Sequence, residues 1–346
     1  SGAVAYNNLM GMNRSAMFKV QANSRLDYNN FDERRRMERK RVIEYSVKTG
    51  FTEPHTPIFP MEFDLELSHS RRRFFSFDAD ISKVSTTFSK NLLKWLTLSV
   101  KYQLEVIAPF DASEEKDRDY FRIGSFIPSI SIDHRDNKIN PRKGTFFGLS
   151  YEIANPNFYS MNKPDLEINF IRLISRNKFY ASYKNMVFAL SISGGYEKNM
   201  VKEKYIYQDD GRVTRGFIPS IKVFRLNGVD VVRGFEDAEI NRVDMENVPD
   251  ISEVIVDNTA FFANIKFEPR YLVDDNIMMG VFLDAGRVFV NHFKPVKLRT
   301  ATGISLKFLT PVGTLDFDYG VKIQRKTHVG GKRESFGRFH LSIGYF

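Results

Sequence analysis

Cysteine is absent from the 346 residues, which excludes a disulfide framework, a zinc–thiolate site and a thiol nucleophile. No run approaches the roughly 20 apolar residues that a membrane-spanning helix requires. A Gly-x-Ser-x-Gly elbow, a phosphate-binding loop and a dinucleotide fingerprint are all missing, so the chemistries they support have no carrier here. The six histidines, His55, His69, His134, His292, His328 and His340, show no ligand spacing and are expected in structural or solvated roles. No metal, no cofactor and no enzymatic activity are expected. No signal peptide is visible at Ser1, so the chain is expected to be either trimmed and mature or a fragment.

Aromatic residues, by contrast, are abundant: 32 Phe and 15 Tyr against one Trp. Hydrophobic residues make up 42% and the mean hydropathy is −0.34, values that read as soluble on a hydropathy scan. That reading is unsafe, because a barrel strand hides its apolar residues by alternating them with polar ones. The formal net charge is +9. The basic tracts Arg34-Arg35-Arg36, Arg39-Lys40-Arg41 and Arg71-Arg72-Arg73 read as solvated loop tips or contacts to anionic lipid head groups, in preference to nucleic-acid contacts.

The strongest signal is alternation with a period of two. From Thr314 to Ile323, Leu315, Phe317, Tyr319, Val321 and Ile323 interleave with Thr314, Asp316, Asp318, Gly320 and Lys322. From Leu96 to Val106, Leu96, Leu98, Val100, Tyr102, Leu104 and Val106 interleave with Thr97, Ser99, Lys101, Gln103 and Glu105. Met61 to Ser68 and Arg338 to Tyr345 repeat the pattern. Successive strand side chains point to opposite faces, so each segment has one apolar and one hydrophilic side. Several runs reach the ~10 residues a tilted strand needs to cross a bilayer. Open edges in lipid would leave amides unpaired, so closure follows. The expected fold is all-β: a transmembrane antiparallel β-barrel, apolar outside and charged within.

Alternation gives about fourteen strands, near 16–27, 40–52, 60–70, 73–88, 95–108, 120–133, 145–154, 165–176, 185–197, 258–272, 276–290, 298–310, 313–325 and 336–346. Turns are expected at Pro54 to Pro60 and Asn137 to Gly144, and a bulge near Pro128. Glu114-Glu115 falls in a solvent-facing loop. The segment 198–257 reads as neither strand nor helix. It carries Val232-Arg233-Gly234-Phe235, after the lead-in Phe224 to Asp230. A long loop folded back into a wet lumen must be fixed, and a guanidinium fork suits a carboxylate on the wall. Phe282 and Asp284 share a strand face, opposite Met279, Val281 and Leu283, which turns Asp284 towards the lumen as a candidate wall carboxylate. Asp316 and Asp318 also point inward; Asp318 reads as merely lumen-wetting. Gly234 suits a turn at the loop tip, and Phe235 a wedge against apolar neighbours.

The ordered set Val232-Arg233-Gly234-Phe235, Phe282-Leu283-Asp284-Ala285-Gly286, Pro311-Val312-Gly313 and Phe339 to Phe346 resembles the outer-membrane assembly superfamily of BamA- and TamA-like barrels and two-partner secretion transporters. Asn8-Leu9-Met10-Gly11-Met12-Asn13-Arg14 and Asp133-His134-Arg135-Asp136 through Gly144 resemble two further motifs of that family, so the likeness covers essentially the whole chain. It implies about sixteen strands, a chain that begins near the end of the second, and periplasmic POTRA domains and a first strand outside this sequence. Where the family usually has a glutamate before Phe267, this chain has Lys266; Glu268, on the same face, can take its place beside Arg233. The family's terminal aromatic usually lies one residue further on than Phe346 does. The resemblance further implies a loop latch of Val232, Arg233, Gly234 and Phe235 with Asp284, Phe282, Gly286, Glu268 and Asp316 as its partners. It also implies a seam at the C-terminal strand, carrying Phe339, Leu341, Ile343, Gly344, Tyr345 and Phe346.

The expected function is an outer-membrane protein insertase, with outer-membrane lipids, unfolded outer-membrane protein clients and periplasmic or lipoprotein accessory subunits as partners, and no nucleic acid. The alternatives are a secretion pore that passes an unfolded chain and the barrel of a patatin-linked outer-membrane protein.

Overall fold

The computed structural model describes residues 2–24, 43–56, 60–73, 78–110, 120–203, 205–208, 211–219, 221–226, 230–235, 240, 256, 258–274, 276–291, 298–310, 313–327 and 333–343. Two compact units contain them: Ser1–Lys90, Ser99–Pro128 and Ile153–Asn169 in one, Asn91–Leu98, Ser129–Glu152 and Phe170–Phe346 in the other. The strands are β1 (Gly2–Leu9), β2 (Arg14–Ser24), β3 (Ile43–Glu53), β4 (Glu62–Arg73), β5 (Asp78–Leu93), β6 (Leu96–Phe110), β7 (Phe121–Asp133), β8 (Gly144–Ala154), β9 (Phe170–Tyr183), β10 (Met186–Asn199), β11 (Tyr205–Gln208), β12 (Gly211–Thr214), β13 (Thr259–Leu272), β14 (Ile277–Val290), β15 (Arg299–Thr310), β16 (Gly313–Lys322) and β17 (Gly337–Ile343).

In the first unit β1 to β5 form an antiparallel meander, each strand paired with its successor. The Asn8–Arg14 motif is the turn between β1 and β2, closed by Gly11 N–H to Asn8 O at 3.1 Å and by Asn13 N–H to the Asn8 side chain at 3.0 Å. Strand β7 loses parity ahead of Pro128, the place expected to bulge: Ile123, Gly124 and Ser125 are buried in succession. The cause is a covering segment. Asn155 caps a 3-10 turn at Pro156–Phe158, and Met161 N–H donates to Arg122 O at 2.8 Å.

In the second unit β9, β10, β13, β14, β15, β16 and β17 pair antiparallel in that order. Asp133 and Arg135 form a two-pronged ion pair, both contacts at 2.8 Å, that braces the turn into β8. Burial here runs opposite to a water-soluble sheet. Val281 is 56% exposed and Leu341 59%, whereas Asp284 and Glu268 are 0% exposed. Along β16, Asp316, Asp318 and Lys322 are buried while Tyr319 is exposed. Such a sheet loses its apolar-burial free energy in water and recovers it only against lipid. From β2 to β16 the long strands have 10 to 16 residues, against roughly 5 to 6 in ordinary globular sheets.

Four expectations need correcting. Among the described residues there are fifteen strands of seven residues or more rather than fourteen, because alternation does not separate the eight-residue β1. Strand β9 spans Phe170–Tyr183 rather than 165–176; the residues before it make an isolated bridge, Asn162 to Glu167. The segment 198–257 contains a hairpin, β11 with β12. Arg71 is not at a loop tip: it lies in β4 opposite Asp80 and pairs with it twice at 2.7 Å, over the rings of Tyr45 and Phe110. The tracts at 34–41 and Glu114-Glu115 lie outside the described residues.

The inverted burial has a measurable signature. Val281→Arg, on the exposed apolar side of β14, is expected to lower folded stability by about 2–4 kcal/mol in lipid vesicles. Urea titration with folded protein scored by its gel mobility checks it.

Candidate functional site

The loop between β10 and β13 lies against the polar face of the second unit, and its attachments can be followed along the chain. Asn199 donates to Gly216 O at 2.8 Å, and Ile218 bridges Val256. Lys222 reaches Glu152 of β8 at 3.3 Å. Phe224 packs on Phe262 of β13, ring centroids 4.8 Å apart, with the Arg172 guanidinium 4.6 Å from its centroid. Asp230 accepts from Arg176 of β9 at 2.8 Å, and its carbonyl accepts from Asn264 of β13.

The loop then makes the tight turn Val232 to Phe235. Phe235 N–H donates to Val232 O at 3.1 Å, and Gly234 takes φ +97°. That is the pattern of a type II turn, whose third residue needs positive φ, so glycine belongs at this position. The turn sits directly on strand backbone. A Cβ on Gly320 would lie 2.5 Å from Gly234 N, and one on Gly286 2.7 Å from a Val232 methyl.

Arg233 is 5% exposed and engages three acidic side chains. Its Nε and Nη2 donate to the two Asp284 oxygens at 2.8 Å each, and its main-chain N–H adds a third bond at 3.1 Å. Nη1 donates to Glu268 and lies 3.5 Å from Asp318. The Phe282 ring lies beneath the guanidinium, 3.6 Å from its central carbon. Burial alone lowers the guanidinium pKa, but the bonds and charges of Asp284, with Glu268 and Asp318, raise it above its ordinary value. Beyond Arg233 the network continues. Glu268 accepts from Arg270 at 2.7 Å and lies 3.3 Å from Lys307, which pairs with Asp316 at 2.7 Å. Lys266 stands across from Asp284 in the strand register. Arg233, Arg270, Lys307 and Lys266 thus balance Asp284, Glu268, Asp318 and Asp316. Phe235 is fully buried between Arg299, 4.9 Å from its ring centroid, and Lys322, at 5.0 Å.

Of the residues singled out in sequence, Arg233, Asp284, Glu268, Phe282, Gly234 and Gly286 come together around one turn. Asp316 belongs to the network but pairs with Lys307, not with Arg233; Asp318, read as solvated, is buried and beside Arg233. Phe339 and Leu341 are exposed on β17, away from the turn's partners, while Gly344, Tyr345, Phe346, Pro311 and Val312 lie outside the described residues. Ile343 ends β17, paired with Leu315. Alternation marked the inward faces but did not single out Arg176, Asn264, Arg270, Lys307 or His340, which share those faces. His340 accepts from Gly234 N–H at 2.9 Å.

Removing the guanidinium leaves buried carboxylates facing one another, a change that typically costs about 3–5 kcal/mol. The seat can also be probed without altering charge. Gly320→Ala is expected to lift the turn and raise tryptic cleavage at Arg233 severalfold, while a Leu341→Ala control on the exposed face leaves it unchanged; a digestion time course checks this.

The chain can now be set beside known proteins. The family model described as the Omp85 superfamily domain matches residues 8–346. The outer membrane protein assembly factor BamA of Nitratidesulfovibrio vulgaris is 21% identical over 313 residues, covering 87% of this chain and 36% of that protein. Among solved structures, BamA from Haemophilus ducreyi lacking POTRA domains 1–3 matches 98% of this chain and 66% of its own, with TM-score 0.64 and 16% identity. CdiB from Acinetobacter baumannii matches 96% of this chain and 54% of its own at TM-score 0.53 and 10% identity. CdiB from Escherichia coli matches 98% and 57% at TM-score 0.55 and 10% identity. The chain therefore spans about a third of the curated relative's length. These likenesses give the fold as an antiparallel transmembrane barrel, and the family model gives the kinship: the chain is an outer-membrane β-barrel domain that belongs to the Omp85 superfamily.

Proposed function

We propose that this chain is the membrane barrel of an outer-membrane protein insertase of the BamA kind, working without enzymatic chemistry. Residues 1–346 form the barrel in this reading, and 198–257 its lumenal loop. A seam between first and last strands opens sideways, and a client's strand adds to the exposed edge by main-chain hydrogen bonds. The clients are unfolded outer-membrane proteins, assembled with periplasmic or lipoprotein subunits.

The observation that carries the reading is the Arg233 clamp. A plain diffusion pore has no need to bury a guanidinium among three acidic side chains, whereas a wall that must open and reclose needs a fixed internal strut. Kinship with an assembly factor supports the same reading. The CdiB likeness supports a second one, a polypeptide-translocating pore, on fold alone.

Charge reversal tests the clamp. Arg233→Glu is expected to reduce client assembly at least tenfold, because like charges replace a buried, hydrogen-bonded pair. Adding Asp284→Arg is expected to restore part of it. Assembly of a reporter barrel into proteoliposomes is the measurement, and wild-type assembly by the single mutant would reject the clamp. Planar-bilayer conductance after deletion of 205–258 separates the two readings: a pore gains a steady open state, whereas an insertase loses assembly.

A further inference from the structure

We propose that His340 ties the lumenal loop to the terminal strand, and that protonating its ring releases the tie. The starting point is the hydrogen bond from Gly234 N–H to His340 Nε2 at 2.9 Å, which joins residues 106 positions apart. A main-chain amide can only donate, so Nε2 carries the lone pair and the ring is neutral with its proton on Nδ1. The contact needs close approach of three backbones. Gly234 sits on Gly320 of β16, and Gly337 of β17 packs on the Gly320 carbonyl, so a Cβ at Gly320 or Gly337 would collide. Three glycines therefore bring the turn within reach of β17, and His340 is the side chain that meets it.

The imidazolium form has two N–H donors and no acceptor. Protonated, the ring faces the Gly234 N–H donor to donor, and a buried amide is left without its partner. The charges around it act in both directions. Asp318 stands directly across from His340 in the β16–β17 register and attracts the imidazolium. The same carboxylate lies 3.5 Å from Arg233 Nη1, so drawing it towards the ring weakens one arm of the clamp. The opposing cations are Arg233 in the loop, Arg338 two positions away on β17, and Lys322 further along β16. Histidine is the side chain whose unperturbed charge change falls between about pH 5 and 8, so that is the range in which the tie is tested. His340 is a positioning residue in this account: it acts through the Gly234 amide and touches no client. The tie deepens the seam reading above and rests on it for any effect on assembly.

Amide hydrogen exchange reads the tie independently of assembly. The full chain in detergent micelles is compared at about pH 7.5 and about pH 5, on either side of the imidazole midpoint, after correction for the intrinsic pH dependence of exchange. Wild-type protection over residues 337–343 is expected to fall about three- to tenfold in acid, as for loss of one buried hydrogen bond. His340→Gln, whose carbonyl oxygen accepts at any pH, is expected to keep protection near the neutral wild-type level at both pH values. His340→Ala is expected to be low at both. Heat-modifiable gel migration confirms that each variant is folded. PH-independent protection in the wild type, or a Gln variant that behaves like Ala, overturns the tie. In the reporter assembly assay, acid inhibition of the wild type but not of His340→Gln extends the tie to function. If exchange behaves as expected while assembly ignores pH in both proteins, the tie holds and its role at a seam fails.

Discussion

A guanidinium cannot be stripped of water inside a protein unless carboxylates replace its hydration shell, and that constraint organises the second unit. Arg233 reaches its buried position because Asp284, Glu268 and Asp318 project from β14, β13 and β16 towards one point. Three strands must be in register for that to happen, and the turn must present its main-chain N–H as well as its side chain. The loop and the wall therefore specify each other. The loop has a single seat, and the polar face has a cation that it would otherwise lack.

The same constraint explains the inverted sheet. Charged residues fill the face that holds the loop, and aliphatic residues fill the other. In water this arrangement would be unstable twice over, through exposed apolar surface and through crowded acids. Lipid outside removes the first problem. The paired cations Arg270, Lys307 and Lys266 remove the second, each placed by parity on the face where the carboxylates lie.

Much of this was readable from residue order, because a period of two is a property of the strand itself. The alternation in 314–323 placed Asp316, Asp318 and Lys322 on one face, and the structure buries all three. The same parity turned Asp284 inward and the fork geometry of the guanidinium asked for a wall carboxylate; the family resemblance, not parity, matched Asp284 to Arg233. What alternation does not contain is position along a strand relative to a distant loop. Parity assigns Asp316 and Asp318 the same face, yet only Asp318 stands level with the turn, because the strand register decides which one Arg233 meets. His340 was hidden for the same reason: nothing local marks it until Gly320 and Gly337 bring β17 beneath the turn. The hairpin at β11 and β12 escaped notice because four-residue strands are too short for alternation to register.

Glu268 is shared among three cations, Arg233, Arg270 and Lys307, whereas Asp284 has Arg233 and, across the strand pair, Lys266. If the loop withdraws, Glu268 keeps both of its resident counter-ions on the wall and stays compensated. Asp284 gives up a two-pronged partner, and Asp318 gives up the guanidinium 3.5 Å from it. Departure of the loop thus removes a counter-ion from both, and of the two Asp284 keeps Lys266 across the strand pair. The wall carries its own compensation for Glu268 and borrows from the loop the charge that Asp284 and Asp318 need, so the loop is a structural part of the polar face rather than a cover laid over it.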